Sequence, residues 1–201
     1  MLIEIYKSLL QFFGKQYWWP AETKDEIIIG AILTQNTSWQ NVEKAIFNLK
    51  KEGFCNLCKI RDVPLEYIQQ LIKPAGFYKQ KSVYLKEIAK FFANFDENTT
   101  DTLQFRKMLL NVKGIGLETA DSILLYAFSR PVFVIDAYTI RFLKRKKLFD
   151  SSKYEEVQSF FMQNLPNDVE LFKEYHALIV KLAKTYCRKN PNCTECPIKC
   201  A

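Results

Sequence analysis

Glycine and long apolar segments are both scarce in this sequence. It has only 6 glycines in 201 residues, under half of the average share of about 7%, so two glycines close together indicate a backbone that needs them. The apolar segment from Ile27 to Leu33 falls far below the roughly 18 residues of a membrane span. Glu4 and Lys7 interrupt the N-terminal stretch that a signal peptide keeps apolar. We therefore expect a soluble intracellular protein.

Acidic residues are outnumbered, with 22 Asp and Glu against 29 Lys and Arg and a net charge of +7. This excess favours nucleic acid or another anionic surface as a partner. The composition, 48% hydrophobic and 25% charged, excludes disordered, collagen-like and low-complexity chains. It fits one globular domain or two small ones.

Cysteine is clustered rather than spread along the chain. Four of the six crowd the C-terminal end, at Cys187, Cys193, Cys196 and Cys200. In a chain without a secretory signal, such clustering indicates a metal site and not a disulfide framework. The C-x2-C unit within it also suits tetrahedral zinc. A second C-x2-C pair, Cys55 and Cys58, has no partner pair and is interpreted as buried or incidental.

Helical patterns run through almost the whole chain, so the sequence predicts an all-α fold. Thr23 to Glu26 and Thr37 to Gln40 each have the pattern of a capping box that opens a helix. The stretch 132–135 looks strand-like but is too short to found a sheet. Further helices are expected at 2–13, 64–72, 80–94, 102–111, 117–129, 137–148, 153–164 and 168–186.

The most informative stretch places Gly114 and Gly116 between two predicted helices. Backbone N–H groups of such a turn, with Lys113 beside them, can bind a phosphate without reading a base. A turn that only requires positive φ would also explain the glycines. Asp136 follows at the start of the next helix, where it is either an active-site carboxylate or simply an N-cap.

Several short motifs follow one another in the order of a known family. They are Tyr17-Trp-Trp-Pro20, Leu33-Thr-Gln-Asn-Thr37, Gly76-Phe-Tyr-Lys-Gln-Lys81, Val112-Lys-Gly-Ile-Gly-Leu-Glu-Thr-Ala-Asp121, Val134-Ile-Asp136 with Arg141, and the C-terminal cysteines. Together they span most of the chain and resemble the helix-hairpin-helix DNA glycosylases of base excision repair, the endonuclease III superfamily. Within it, the chain looks most similar to the bacterial 3-methyladenine DNA glycosylases.

The resemblance implies an all-α, two-lobed fold with a C-terminal cysteine-ligated metal loop. One lobe is a helical bundle of residues 24–132 that contains the hairpin, and the other combines residues 1–23 with residues 133–201. The family binds double-stranded DNA and flips the damaged nucleotide into the cleft between the lobes. We expect a monomer in the cytoplasm, associated with the nucleoid if the source is bacterial.

The resemblance also implies a catalytic role for Asp136. Its carboxylate would stabilise the positive charge that develops on the deoxyribose as the base departs, and would orient the attacking water. Where bifunctional members carry a Schiff-base lysine, this chain has Glu118. We therefore expect a monofunctional enzyme that leaves the strand uncut, whether Glu118 lines the base pocket or only complements the helix dipole.

The implied recognition residues follow the chemistry of a cationic, alkylated base, which favours electron-rich aromatic faces. Trp18, Pro20 and Trp39 match the base pocket of the 3-methyladenine group. Gln35 matches the residue inserted into the gap left by the flipped nucleotide, and Phe77 matches the wedge on the opposite strand. A purely structural role is the alternative, above all for Trp19 and Phe77. The basic cluster from Arg141 to Lys147 binds phosphates or forms a solvated helix face.

The cysteines match the family's ligands of a [4Fe–4S] cluster, with shorter first and last gaps than the family pattern. The expected ligands are Cys187, Cys193, Cys196 and Cys200, with zinc as the alternative metal. The cluster would be structural and would hold a basic loop against DNA.

Three functions remain open at this point. The first is a glycosylase for 3-methyladenine and other alkylated purines, and the second a glycosylase for mismatched thymine or uracil, or for oxidised pyrimidines. The third is a non-catalytic DNA-binding protein with a structural metal, which the presence of Asp136 disfavours. The single histidine, His176, lies on an amphipathic helix and is interpreted as a core or surface residue and not as a catalyst.

Overall fold

The computed structural model describes residues 1–97 and 99–198, and within these ranges the chain is helical and has no strand. A 3₁₀ turn, Lys73–Ala75, precedes α6, and a π-helical segment, Ile123–Ala127, continues α8. The α-helices are α1 (Leu2–Phe13), α2 (Lys24–Leu33), α3 (Trp39–Lys51), α4 (Leu57–Asp62), α5 (Leu65–Ile72), α6 (Tyr78–Ala93), α7 (Thr102–Leu110), α8 (Leu117–Ser122), α9 (Ala137–Arg145), α10 (Tyr154–Asn164) and α11 (Val169–Thr185).

Two predicted helix starts, at Thr23 and at Thr37, have different outcomes in the structure. Thr23 caps α2 as expected, because its hydroxyl accepts a hydrogen bond from the backbone N of Glu26 at 3.1 Å. The capping box predicted at Thr37 is wrong, since α3 begins one residue later and has Ser38 as its N-cap. The helix α4 has no counterpart among the predicted helices because its six residues are too few to show a helical period.

The predicted helices 117–129 and 137–148 end earlier than expected. The stretch 117–129 is divided between α8 and the π-helical segment, and α9 ends at Arg145. Residues 132–135 form no strand; they are a buried, extended connection between the π-helical segment and α9. Among the described residues, no helix is both long enough and apolar enough to cross a membrane.

The chain divides into two compact units. One contains Ala21–Phe128, and the other combines Met1–Pro20 with the chain from Ser129 onward. The family resemblance implies lobe boundaries near residues 24 and 132.

Each unit has its own apolar core. In the unit Ala21–Phe128, α2 is buried over most of its length and an aromatic cluster packs beside it, with Phe95 and Phe105 stacked at 4.2 Å between ring centroids. In the other unit, the extended segment contributes Phe133, which stacks on Phe161 at 4.1 Å. The Tyr175 hydroxyl donates to the backbone O of Leu2 at 3.0 Å, which fixes α1 against α11.

Candidate functional site

The unit Ala21–Phe128 contains a cavity of about 460 Å³ at the hairpin. It lies between the end of α2, the start of α6 and the turn before α8. Five residues singled out by the sequence line it: Gln35, Phe77, Gly114, Gly116 and Glu118. The fold therefore brings together motifs that are far apart along the chain.

The two hairpin glycines differ in what requires them. Gly114 has φ +88°, and an added Cβ would lie 2.2 Å from the ring of Tyr84 on α6. Gly116 has an ordinary extended backbone, with φ −94°, and a Cβ there would meet nothing within 4 Å. Positive φ and close packing thus explain Gly114 but not Gly116. The exposed backbone at Gly116 and the exposed Lys113 leave room for a ligand.

Gln35 is held against this hairpin. Its side-chain Nε2 donates to the backbone O of Gly114 and to the hydroxyl of Thr119, each at 3.0 Å. The residue expected to fill a gap in DNA is thus oriented by the element expected to contact the phosphates. This arrangement links the two motifs within one unit.

Phe77 lies at the mouth of the cavity in an unusual conformation. It precedes α6 with φ +46°, in the left-handed region that an aromatic residue rarely adopts. Its side chain is 64% exposed. An exposed aromatic ring held by a strained backbone indicates a contact surface more than ordinary packing.

Lys81 is a site residue that the sequence interpretation did not single out. Its side chain is buried, and Nζ donates to the backbone O of Leu33 and of Ala75, both at 2.8 Å. Burial lowers the pKa of this amine to about 8. The available signal was its phase on α6, where it shares the buried face with Leu85 and Ile88.

The remaining predicted residue of the base pocket in this unit, Trp39, is half-buried at the first position of α3. It is not among the residues that line the cavity. Glu118 is exposed in the first turn of α8, so a carboxylate, and not an amine, occupies that part of the cavity wall.

Asp136 belongs to the other unit and is the N-cap of α9. Its Oδ1 accepts hydrogen bonds from the backbone N of Thr139 at 2.7 Å and from the Thr139 hydroxyl at 2.8 Å. Its Oδ2 lies 3.7 Å from Nε2 of His176. Burial raises the pKa of the carboxyl, but the contacts with His176 and Thr139 outweigh burial and keep the pKa below its usual value. The carboxylate is therefore held ionised.

The other predicted pocket residues of this unit lie before α2. Trp18 is half-buried, with its ring centroid 5.1 Å from that of Trp19, and Pro20 is exposed. In the basic cluster, Arg141 lies against the Tyr138 ring, 5.1 Å from its centroid, and its Nη2 donates to the backbone O of Ala183 at 3.3 Å.

The cysteine loop is only partly within the described residues. Cys187 and Cys196 are half-buried and Cys193 is exposed, while Cys200 lies outside the described residues. No three metal-binding side chains lie together in the part of the chain that the structure describes. Arg145 organises the start of the loop: Nη1 donates to Cys187 Sγ at 3.4 Å and to the Arg188 backbone O, and Nη2 to the Lys189 backbone O at 3.0 Å.

The loop's donor set is chemically uniform. All four candidate ligands are thiols, which as thiolates suit iron–sulfur clusters and zinc and not hard cations such as magnesium. The residues present therefore fit a thiolate-bound metal centre.

Comparison with known proteins agrees with this geometry. The family model described as HhH-GPD superfamily base excision DNA repair protein matches residues 29–167. A provisionally named DNA repair glycosylase of Methanocaldococcus jannaschii is 50% identical, covering 99% of this chain and 94% of its own. Endonuclease III of Sulfolobus acidocaldarius is 29% identical over 86% of this chain and 78% of its own.

A solved structure is similar as well. The H. pylori 3-methyladenine DNA glycosylase MagIII, bound to 1,N6-ethenoadenine, superimposes with a TM-score of 0.79 at 31% identity, covering 91% of this chain and 97% of that one. The chain therefore belongs to the HhH-GPD superfamily of base excision DNA repair proteins and is a helix-hairpin-helix DNA glycosylase of the endonuclease III type.

Proposed function

We propose that this glycosylase is monofunctional and hydrolyses the N-glycosidic bond of alkylated purines, chiefly 3-methyladenine. The observation that carries the catalytic part is Asp136, a buried carboxylate held ionised by Thr139 and His176. The substrate class is supported by the likeness to a 3-methyladenine glycosylase that covers nearly the whole chain.

The ionised carboxylate would act on the sugar. As the bond between C1′ and the purine breaks, the electron pair leaves with the base and positive charge develops on the deoxyribose. A nearby negative charge in a site shielded from water stabilises that state. Water then adds to C1′ and loses a proton, which gives an abasic site and the free base. A 3-methylated adenine is already cationic, so its departure needs little general-acid help.

Strand cleavage is not part of this proposal. A lyase requires an amine that forms a Schiff base with the sugar, and the matching position holds Glu118. The lysine that lines the cavity, Lys81, has its Nζ occupied by two backbone carbonyls. We therefore propose an intact strand as the product.

Recognition of the base is assigned to aromatic side chains. Trp39, with Trp18 and Pro20, would contact the two faces of a flipped cationic purine, and Glu118 would contribute negative charge near it. The half-buried state of Trp39 at the start of α3 supports this role, because part of the residue is accessible to a ligand.

Contacts with the duplex are assigned to the hairpin and its neighbours. The backbone around Gly114 and Gly116, with Lys113, would bind phosphates, while Gln35 would fill the gap and Phe77 would wedge the opposite strand. Because all of these pieces belong to one chain, we propose that a monomer acts on double-stranded DNA.

The four C-terminal cysteines are proposed to hold a [4Fe–4S] cluster, with zinc as the alternative. When bound, the cluster would supply cross-linking of the loop and no redox step in base release. Arg145, which already binds the loop backbone, would keep the loop in place beside α9.

The test is single-turnover release of labelled base from duplexes carrying 3-methyladenine, 7-methylguanine, uracil or a thymine mismatch. We expect release from the alkylated duplexes, and a loss of about 100-fold or more in Asp136→Asn with abasic-duplex binding retained. Trp39→Ala should weaken retention of the flipped base by about 1–3 kcal/mol, and Trp39→Phe should restore much of it.

Two results would change the assignment. Faster release of uracil or thymine would move the substrate class to deaminated bases. Wild-type rates in a correctly folded Asp136→Asn protein, checked by circular dichroism, would remove the catalytic role from this carboxylate.

A further inference from the structure

The two oxygens of Asp136 have different surroundings. Oδ1 is used to cap α9, because it accepts both hydrogen bonds from Thr139. Oδ2 faces α11, where Nε2 of His176 lies 3.7 Å away. The cap fixes one end of the carboxylate, so the orientation and charge of the other end depend on what faces it.

The Asp136–His176 pair is largely shielded from water, so the imidazole has a large electrostatic effect on the carboxylate. The His176 side chain is 9% exposed and that of Asp136 is 12% exposed. Because water is largely excluded, the field of the imidazole acts on Oδ2 with little screening. Several other charged side chains of the two helices have partners elsewhere: Arg141 and Lys184 lie against the Tyr138 ring, Lys173 pairs with Glu170, and Glu174 binds the backbone N of Gln16.

The position of His176 is set by the packing of α11. Its side chain lies in phase with the buried residues Phe172, Ile179 and Ala183, on the face of α11 that packs in the core. A polar ring in an apolar stripe is costly to bury, so a specific partner is needed to compensate. Asp136 supplies that partner.

We propose that His176 is a positioning residue for Asp136 and acts through Nε2 to orient Oδ2 toward the reacting sugar. The inference rests on the proposed catalytic role of Asp136. An imidazole whose Nε2 faces Oδ2 at 3.7 Å, while Thr139 holds Oδ1, restricts the carboxylate to one orientation. This property is needed where a full negative charge must face a sugar cation.

Two variants separate this role from mere packing. His176→Gln places an amide donor near the position of Nε2, whereas His176→Leu keeps an apolar side chain of similar size and has no donor. We expect His176→Leu to lose roughly 10-fold in single-turnover release of 3-methyladenine, and His176→Gln to retain most of the rate.

The pH profile gives a second readout. Because His176 helps to keep the pKa of Asp136 low, loss of the donor should raise that pKa. The acid limb of the rate profile should then move to higher pH by about one pH unit in His176→Leu and stay near the wild-type position in His176→Gln. A packing defect would lower the rate at all pH values and leave the limb in place.

An NMR measurement that requires neither catalysis nor a His176 variant tests the contact between Asp136 and His176 even if the His176 variants fail to fold. His176 is the only histidine, so the imidazole gives one set of ring nitrogen signals in the NMR spectrum of the intact protein. We expect Asp136→Asn to shift these signals, while Asp150→Asn, which changes an exposed carboxylate of the same unit, leaves them unchanged.

The outcomes are distinct. Unchanged ring signals in Asp136→Asn would overturn the contact, and a His176→Leu enzyme with the wild-type rate and pH profile would overturn its role in positioning. If the wild type releases no base while Asp136→Asn shifts the ring signals, the proposed substrate is wrong and the pair itself stands.

Discussion

At the scale of single residues, Gly114 and Gly116 show how two glycines in one turn serve different needs. Gly114 combines a left-handed backbone with a site where a Cβ would overlap the Tyr84 ring. Gly116 has neither constraint. If Gly116 is needed at all, the need comes from a ligand that approaches its backbone, as a phosphate does.

This contrast yields a prediction with a built-in control. Gly114→Ala should lower the free energy of unfolding by about 2 kcal/mol or more, from positive φ and the clash with Tyr84. Gly116→Ala should unfold like the wild type but bind duplex DNA more weakly. Urea denaturation and DNA titration at fixed salt measure the two effects. Equal stability of both variants would contradict the packing argument.

A second prediction at this scale concerns Glu118. With a carboxylate on the cavity wall where an amine would be needed, borohydride should not trap the enzyme efficiently on a duplex that carries the lesion, and strand breaks should appear only after alkali. Gel mobility of the treated complex measures trapping. Efficient trapping would identify another amine as nucleophile, and Lys113 and Lys81 would then be replaced in turn.

At the scale of elements, Lys81 joins two segments through one amine. Its two acceptors are the backbone carbonyls of Leu33 and Ala75. Leu33 is the last residue of α2 and lies two residues before Gln35, and Ala75 lies two residues before Phe77. One Nζ therefore fixes the backbone beneath both residues that are proposed to enter the duplex. The same helix, α6, carries Tyr84, which packs on the hairpin at Gly114.

We predict that Lys81→Met both destabilises the fold and weakens the insertion of Gln35 and Phe77 into the duplex. Two buried carbonyls lose their donor, which costs about 1–3 kcal/mol for each group left unsatisfied. Lys79→Met, an exposed lysine of the same helix, should leave stability unchanged and reduce only the salt dependence of DNA binding. Urea denaturation and fluorescence of 2-aminopurine beside the lesion measure stability and insertion. Identical stability and insertion in the two variants would contradict the proposed role of the Lys81 amine.

The lowered pKa of Lys81 also predicts how the stability of the fold depends on pH. Its pKa is about 8 in the folded protein, below the ordinary value of 10.5 that applies after unfolding. Between these values the unfolded chain binds more protons than the folded one, so the free energy of unfolding should rise with pH through this window. Denaturation at several pH values should show the rise in the wild type and not in Lys81→Met.

These elements also show what the sequence can and cannot predict. Thr23, Asp136 and the hairpin glycines carry their signals locally, in a cap, a helix start and a turn, so the sequence alone is enough to place them. Lys81 and His176 are ordinary polar residues in their own helices. Their partners come from distant elements, and only packing reveals them. The capping box predicted at Thr37 is wrong because the adjacent Ser38 is an N-cap residue type as well, and α3 begins after it without a side-chain cap bond.

At the scale of the whole molecule, the net charge of +7 predicts salt-dependent binding to any duplex, because Lys and Arg side chains that neutralise phosphates release counterions. If the hairpin contacts phosphates as proposed, it does not read the sequence, and specificity comes from the flipped base. Under this proposal binding and selection are carried by different parts of the chain, so a defect in one need not disturb the other.

The last prediction concerns the proposed metal centre in the cysteine loop, whose first residues are hydrogen-bonded to Arg145 of α9. We expect the purified protein to be brown and to contain about four irons per chain. Cys193→Ser should lose the colour and unfold at lower urea concentration. Cys58→Ser, outside the cluster motif, should keep the colour and the stability of the wild type. Iron and zinc analysis with the visible absorption spectrum decides between the metals. One zinc and no iron per chain would assign the shortened cysteine spacing to a tetrahedral zinc site, because four thiolates in so compact a loop satisfy zinc without a cluster.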